Sequence, residues 1–497
     1  MFVSLSLVGM APQAAAQGRH ARLSRDLEQR LRTGGSGATR VIVTGTTAQV
    51  SDVADRHGAR IVRWLATGAV VDVPSGELAN VADDPAVDEL SSDQVVRAHA
   101  DVTNETIGAD IVQAGGWAEG IGPLTGAGIG VAVIDSGVDR VPELRDRIVA
   151  SVDFTDEQTN SGSAHDDYGH GTHVAGIIAA HPAQRGDETT GVAPGAHIIN
   201  LKVLKADGSG QASDVIDAID WAIAHRKRFG IRILNLSLGG PVLQPWRDDP
   251  IDQAVERAYR AGLVVIAAAG NYGKTADGRE VFGGIVTPGN SPYAITVGAI
   301  NTMQTPWRSD DVMTTYSSRG PTLFDHLVKP DLVAPGNRIV GLLAPGSTLV
   351  REHPELVVST PEGDRLTLSG TSMAAAVVSG AAAVLLEEKP LTPIGVRLTL
   401  QEGSSLIGAP LVKEGAGETS LLASAELASS TPRKGRIGGE EIRPSLVAFS
   451  QIPGLGTAAN HGVAQADTVY WGDTVYWGDT VYWGDTVYWG DTVYWGD

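Results

Sequence analysis

The stretch Ile129-Gly130-Val131-Ala132-Val133-Ile134-Asp135-Ser136-Gly137 is nearly all apolar for six residues and then ends on an acid, a hydroxyl and a glycine. An alternating pattern would mark a strand with one wet face; this pattern marks one buried on both faces. Similar runs recur at Ile198–Val203, Ile231–Leu236, Leu263–Ala269 and Ala294–Val297, and a helical pattern, Ala212–Arg228, lies between two of them. Near-continuous apolar strands separated by helices imply an α/β fold with a largely parallel central sheet and helices on both faces. Such sheets hold their ligands beyond the carboxyl ends of the strands. Asp135 and Asn271 both fall just past a strand's end.

The α/β pattern spans residues 105–428. Before it, the order strand, helix, strand, strand, helix, strand between Thr39 and Val96 reads as a split β-α-β unit, a small α+β ferredoxin-like module. Arg97–Glu105 reads as an exposed, cleavable linker, so module and linker together occupy 17–104. Phe2–Met10 is a short apolar run followed by Ala14-Ala15-Ala16, a small-residue cleavage pattern, and residues 1–16 therefore read as the remnant of a secretory signal lacking its basic part. No other stretch is expected to reach the length of a membrane span. Residues 429–466, rich in Gly, Pro and small polar residues, read as a linker. From 467 to 497 the hexapeptide Asp-Thr-Val-Tyr-Trp-Gly occurs five times. Its even period keeps Thr and Tyr on one face and Val and Trp on the other, a pattern suited to short strands and self-association.

Composition narrows the partners. The chain has 497 residues, 42% of them apolar, and a net charge of −20, which argues against nucleic acid or an anionic membrane. It has no cysteine, which excludes thiol catalysis, cysteine-ligated zinc and disulfides.

Three glycine-bearing segments carry chemistry: Val133–Gly137, His170-Gly171-Thr172-His173-Val174-Ala175-Gly176 and Gly370-Thr371-Ser372-Met373-Ala374. Asp135 either caps backbone amides in a turn or accepts the Nδ1 proton of a histidine. A phosphoryl-transfer role would call for a second carboxylate two residues on, which Gly137 does not provide. The His170/His173 pair has i, i+3 spacing but no glutamate beside the first histidine and no evident third ligand, so one as general base and the other as a structural residue fits better than metal. Ser372 starts a run, Met373–Leu386, that is apolar almost all round, as a fully buried helix reads. The serine is either that helix's cap or a hydroxyl whose developing anion the helix N-terminus favours. Neither Gly-x-Ser-x-Ala nor the order Asp, His, Ser is that of α/β-hydrolases.

These segments, together with Gly191–Ala196, Asn235–Gly240, Ala267–Asn271, Ser317–Pro321 and Lys329–Gly336, resemble the subtilisin-like serine proteases over Ile107–Ala428. The resemblance implies Ser372 as nucleophile, His170 as general base, Asp135 as its orienter and Asn271 as oxyanion donor with the Ser372 N–H. It implies that Gly208-Ser209-Gly210 and Ser237-Leu238-Gly239 clamp an extended peptide, and that Ala268, Ala269, Gly270 and Val286 wall the primary specificity pocket. Val286 stands where many relatives have glycine, which would make that pocket shallower. The family usually continues with Pro-His where this chain has Ala376-Val377, a change expected to alter packing but not chemistry. The implied protein is a secreted endopeptidase acting on polypeptides, made as a zymogen with its propeptide as intramolecular inhibitor and chaperone. Its chemistry needs no cofactor and no metal; structural Ca²⁺ is compatible with such folds but not assignable from spacing. The alternative is a surface-associated structural or adhesive protein using the repeat tail, with the protease fold as carrier.

Overall fold

The structure is a computed structural model that describes residues 21–24, 27, 30–31, 37–92, 102–118, 120–155, 164–183 and 190–429. It also describes the short strands 436–437, 440–441, 474–477, 481–484, 486–489 and 493–496. The signal reading at 1–16, most of the cleavable linker and most of the 429–466 linker lie outside the described residues. The chain divides into two compact units, residues 1–98 and 99–497.

In the first unit, β1 (Arg22–Leu23), β2 (Thr39–Thr44), β3 (Arg60–Leu65), β4 (Gly68–Val73) and β5 (Glu89–Ser92) form one sheet in the order β1-β5-β2-β4-β3. Helices α1 (Thr47–Arg56) and α2 (Leu78–Ala82) complete it. Thr46 and Gln49 close a capping box at the start of α1, satisfying two first-turn amides. Val41, Val43, Val50, Val53, Val71, Val81 and Leu90 fill its core.

The second unit is built on an eight-stranded sheet. Its strands are β6 (Gly130–Asp135), β7 (Ile148–Asp153), β8 (His197–Lys202), β9 (Ile231–Leu236), β10 (Val264–Ala268), β11 (Ala294–Asn301), β12 (Val312–Met313) and β13 (Leu332–Pro335). The order is β12-β11-β10-β9-β6-β8-β7, with β13 also paired to β11, and every pairing is parallel except β11 with β12. The chain winds from β6 toward β7 in one direction and toward β11 in the other. Beside β6 it therefore leaves the crevice where such sheets bind ligands.

Alternation along the strands sorts side chains to two cores. Val131, Val133, Ile198, Ile233, Ile266 and Val297 pack with α3 (His170–Ala179) and α7 (Thr371–Glu388). Ala132, Ile134, Ile199, Leu201, Leu234 and Val265 pack on the opposite face with α4 (Ala212–His225) and α5 (Pro250–Arg260). Each Val, Leu or Ile side chain removed from water stabilises by about 1.5–3 kcal/mol, which is why apolar residues dominate these runs; Asn200 and Asn235 are buried exceptions that find hydrogen-bond partners.

Three expectations shift. Strand β11 runs on to Asn301, beyond Val297, because Ile300 and Asn301 find partners in Met313 and Val312. Helix α4 stops at His225 and gives way to turns over 226–230. By length and composition α7 is long and apolar enough to cross a membrane, so Thr371–Glu388 corrects the expectation that no such stretch exists; it is a core helix, 83% buried. Ala375, Ala376 and Val377 continue it without interruption and are fully buried.

Between β14 (Ile339–Gly341) and α7 the chain makes an excursion through α6 (Thr348–Glu352), β15 (Val357–Thr360) and β16 (Gly363–Leu368), a three-stranded antiparallel sheet with β14. The repeat strands pair as two hairpins, 474–477 with 481–484 and 486–489 with 493–496.

One buried acid in this unit sets a pH test. Asp252, fully buried in α5, is pushed up to about 8 by burial and then by the charge of Asp249, against the pull of Asn290. A folded-state pKa raised above the unfolded one means its stability is fully present below about pH 4 and lost as pH rises toward 8. Asp252→Asn is expected to unfold at a higher temperature than the parent at pH 9, by several degrees, with the gap closing toward pH 4; a gap independent of pH would refute this.

Candidate active site

Strand β6 delivers Asp135 to the crevice, and Gly137 (φ 108) folds the chain sharply away behind it. Helix α3 starts at His170, and a Cβ on Gly171 would stand 2.1 Å from the Gly137 carbonyl oxygen, so only glycine there lets helix and turn come this close. His170 Nδ1 lies 2.7 Å from Asp135 Oδ1. The Ser136 N–H donates to that same oxygen at 2.7 Å, and Oδ2 is buried without a hydrogen-bond partner. Asp135 is 0% exposed; the His170 side chain keeps 17% and lines the cleft. Burial works to lower the His170 pKa, but the Asp135 charge, its hydrogen bond and the Asp166 charge outweigh it, leaving the ring above its ordinary value.

His173, three residues on, is fully buried, and its Nε2 lies between the carbonyls of Ile339 at 3.2 Å and Leu366 at 3.0 Å. Burial and then the His170 charge push its pKa down to about 4, so it is neutral and ties α3 to β14 and β16. No group of three or more His, Cys, Asp or Glu side chains among the described residues is placed to hold a metal ion.

Ser372 is the second residue of α7, so it does not cap the helix; the N-cap is Gly370. Its Oγ donates to the Ser237 carbonyl at 3.0 Å, and Ser237 Oγ donates back to the Ser372 carbonyl at 2.9 Å. No hydrogen bond joins Ser372 to His170 in this arrangement; such bonds are often open without substrate. Ser237 is held in turn by Asn235 Nδ2 at 2.9 Å, and Asn235 Oδ1 accepts from Ser379 of α7 at 2.8 Å. This buried polar chain locks the end of β9 to the helix bearing the serine.

Asn271 follows β10. Its Oδ1 accepts from the Thr371 N–H at 3.1 Å and the Thr371 hydroxyl at 3.2 Å, which fixes the amide plane and leaves Nδ2 beside Gly370. The Ser372 N–H, a first-turn donor, has no protein acceptor. Two donors thus converge near the serine hydroxyl.

One cleft of about 700 Å³ collects most of these groups: His170, Asn271 and Ser372 with Gly208, Ser209, Gly210, Ser237, Leu238, Gly239, Ala268, Gly270 and Val286. Ala269 is a correction: it is fully buried and outside the lining, because alternate residues of an extended segment point to opposite sides and Ala268 and Gly270 take the cleft side. Val286 fills the space that Gly239 and Gly270 leave open, its methyl groups 2.3 and 2.7 Å from where their Cβ atoms would stand.

The cleft also contains residues that sequence reading missed. Tyr168 lies across Gly208, whose Cβ would stand 2.8 Å from the ring. Leu349 comes from the excursion, with its N–H donating to the Tyr168 carbonyl at 3.0 Å, and Leu204, Tyr272 and Leu368 are among the other lining residues that were missed. Tyr168 could have been suspected from its place two residues before His170; nothing in the sequence marks Leu349.

The model of the subtilase family matches residues 126–407, more than half of the chain. The chain belongs to the subtilase family. This subtilase is 39% identical to the serine protease AprX of Bacillus subtilis (strain 168) over 288 residues, 56% of this chain and 62% of that protein. It is 33% identical to an extracellular serine proteinase of Thermus sp. (strain Rt41A) over 364 residues, 70% of this chain and 73% of that one. To subtilisin E of Bacillus subtilis (strain 168) it is 32% identical over 367 residues, 73% and 82%. The chain thus spans less than two thirds of AprX and more of the other two.

Proposed function

We propose that this subtilase is a secreted serine endopeptidase that cleaves polypeptides through an acyl-enzyme. The observation that carries the reading is the 2.7 Å hydrogen bond of His170 to buried Asp135 across the cleft from a serine flanked by two free donors. In the first half-reaction Ser372 Oγ attacks the scissile carbonyl carbon while its proton leaves the Ser237 carbonyl for His170 Nε2. The Asn271 amide and the Ser372 N–H receive the oxyanion. His170 then gives the proton to the departing amine, and water repeats the sequence to release the acid. Asp135 keeps the Nδ1 tautomer and steadies the imidazolium. The chemistry needs no cofactor; a structural Ca²⁺ belongs to the proposal only as a stabiliser.

The same reading takes residues 1–16 as signal remnant and 17–104 as a propeptide acting as inhibitor and chaperone, cleaved between about Arg97 and Glu105. It takes 105–428 as the catalytic domain, 429–466 as a linker and 467–497 as an appended repeat. The extracellular relative supports export. The paired repeat strands are what supports the second reading, an adhesive tail that self-associates. The deciding experiment is labelling of the mature protein by a serine-directed organophosphate together with cleavage of unfolded casein; failure of both would end the protease reading.

Val286 sets the proposed specificity. With its methyl groups in the gap between Gly239 and Gly270, the pocket takes small P1 side chains. Val286→Gly is expected to raise kcat/KM for a Phe-P1 peptide relative to an Ala-P1 peptide by about tenfold or more, the scale set by a few methylenes in an apolar pocket. An unchanged ratio would place the specificity wall elsewhere.

A further inference from the structure

Asp166 takes no part in the chemistry above, yet it is 0% exposed and lies between the two segments that hold the Asp135–His170 pair. Its Oδ1 accepts from the Ser136 hydroxyl at 2.7 Å and the Gly169 N–H at 2.7 Å, and its Oδ2 accepts from the Thr172 N–H at 2.7 Å. The Ser136 oxygen accepts in turn from the Gly171 N–H at 3.0 Å. Burial holds the Asp166 pKa above the ordinary carboxylate value, and the hydrogen bonds from Thr172, Gly169 and Ser136, every one from a donor, work against that rise in favour of the anion. The N-cap of α3 is Gly169, which offers no side-chain acceptor, and Asp166 does that work from three residues upstream. The result is a bracket: one carboxylate fastens the residue after Asp135 to the helix start that carries His170.

We propose that Asp166 is a positioning residue for catalysis, holding the Asp135 turn and the His170 helix in register and placing a second negative charge behind the imidazole. The inference rests on the reading of His170 as general base. Its charge acts in the same direction as Asp135 on the His170 ring, favouring the protonated form. The titratable groups around the pair are Asp135 and Asp166, neutral His173 on the same helix, and Tyr168. Asp139 is linked to Asp166 by the Asp166 N–H at 3.0 Å, and His165, Asp167 and Lys202 form the ion-pair cluster beside it.

The test uses the mature protein and a chromogenic peptide. Asp166→Asn, Ser136→Ala and His170→Ala are each followed by kcat and KM against pH, normalised to folded protein by thermal unfolding. Asp166→Asn loses the charge and keeps one acceptor oxygen, so it can still serve one side of the bracket while its amide nitrogen faces a donor on the other. It is expected to lower kcat by about 10- to 10²-fold with KM within threefold, the scale of a slightly misplaced catalytic group. Removing an anion beside the ring makes its protonation harder, so the acid limb of kcat/KM moves to lower pH. A merely structural residue would lower the unfolding temperature and leave that limb in place, which would overturn the proposal. Ser136→Ala cuts the bracket without touching the charge, and should lower kcat several-fold with the limb unmoved. If Asp166→Asn does not fold, Ser136→Ala decides alone, and a kcat within twofold of the parent refutes the bracket. His170→Ala separates the two claims: full activity there would defeat the general-base reading, whatever Asp166 does.

Discussion

Ser372→Ala is expected to lower kcat by roughly 10⁶-fold while leaving KM and the unfolding temperature nearly unchanged, the loss known for the nucleophile of subtilisin itself. The side chain lost is one hydroxyl, whose sole bond is to the Ser237 carbonyl at 3.0 Å, and the reverse bond from Ser237 Oγ goes to the Ser372 backbone and survives. Structure therefore persists while the attacking atom is gone. Residual activity about 10³–10⁴ above the uncatalysed rate should remain, because the oxyanion donors and the cleft do not depend on the hydroxyl. Peptide turnover and active-site titration on the same preparation check it. Activity within 10²-fold of the parent would mean that another group attacks.

Asn271→Leu is expected to cost about 10²–10³ in kcat, again a magnitude known from subtilisin, with KM changed only a few-fold. The ground-state carbonyl needs little from Nδ2, and the tetrahedral oxyanion needs it most, so the loss falls on turnover. A second, separable effect follows from the other end of the amide. The Thr371 N–H and hydroxyl lose their acceptor at 3.1 and 3.2 Å, which should lower stability by about 1–3 kcal/mol. A thermal scan reads that cost and kinetics reads the first. A kcat loss below tenfold would remove Asn271 from the oxyanion site.

Much of the sheet was legible because burial on both faces leaves predominantly apolar runs, and Asp135 and Asn271 could be located simply by where two of those runs end. The helix that begins beside Ser372 was legible for the same reason. What could not be read depends on returns of the chain. Ser379 meets Asn235 from 144 positions away, and Leu349 reaches the cleft only because the excursion folds back on Tyr168. Ala269 reads as pocket-lining with its neighbours because a run of three alanines carries no phase, and only the backbone decides which of them faces the cleft. Likewise the partners of His173 are carbonyls on β14 and β16, groups every residue has and no sequence marks.

Helix α7 carries the proposed nucleophile as its second residue and continues as a core helix of the larger unit, with Met373 through Leu386 buried. Catalysis and cohesion therefore share one rod, and neither can be relaxed separately. Any opening that withdraws α7 from the sheet also takes Ser372 away from Asn271 and His170, so unfolding of this core inactivates in the same step. Each molecule that accepts an active-site titrant is then one whose core is intact, and the titrated fraction sets a lower bound on the folded population.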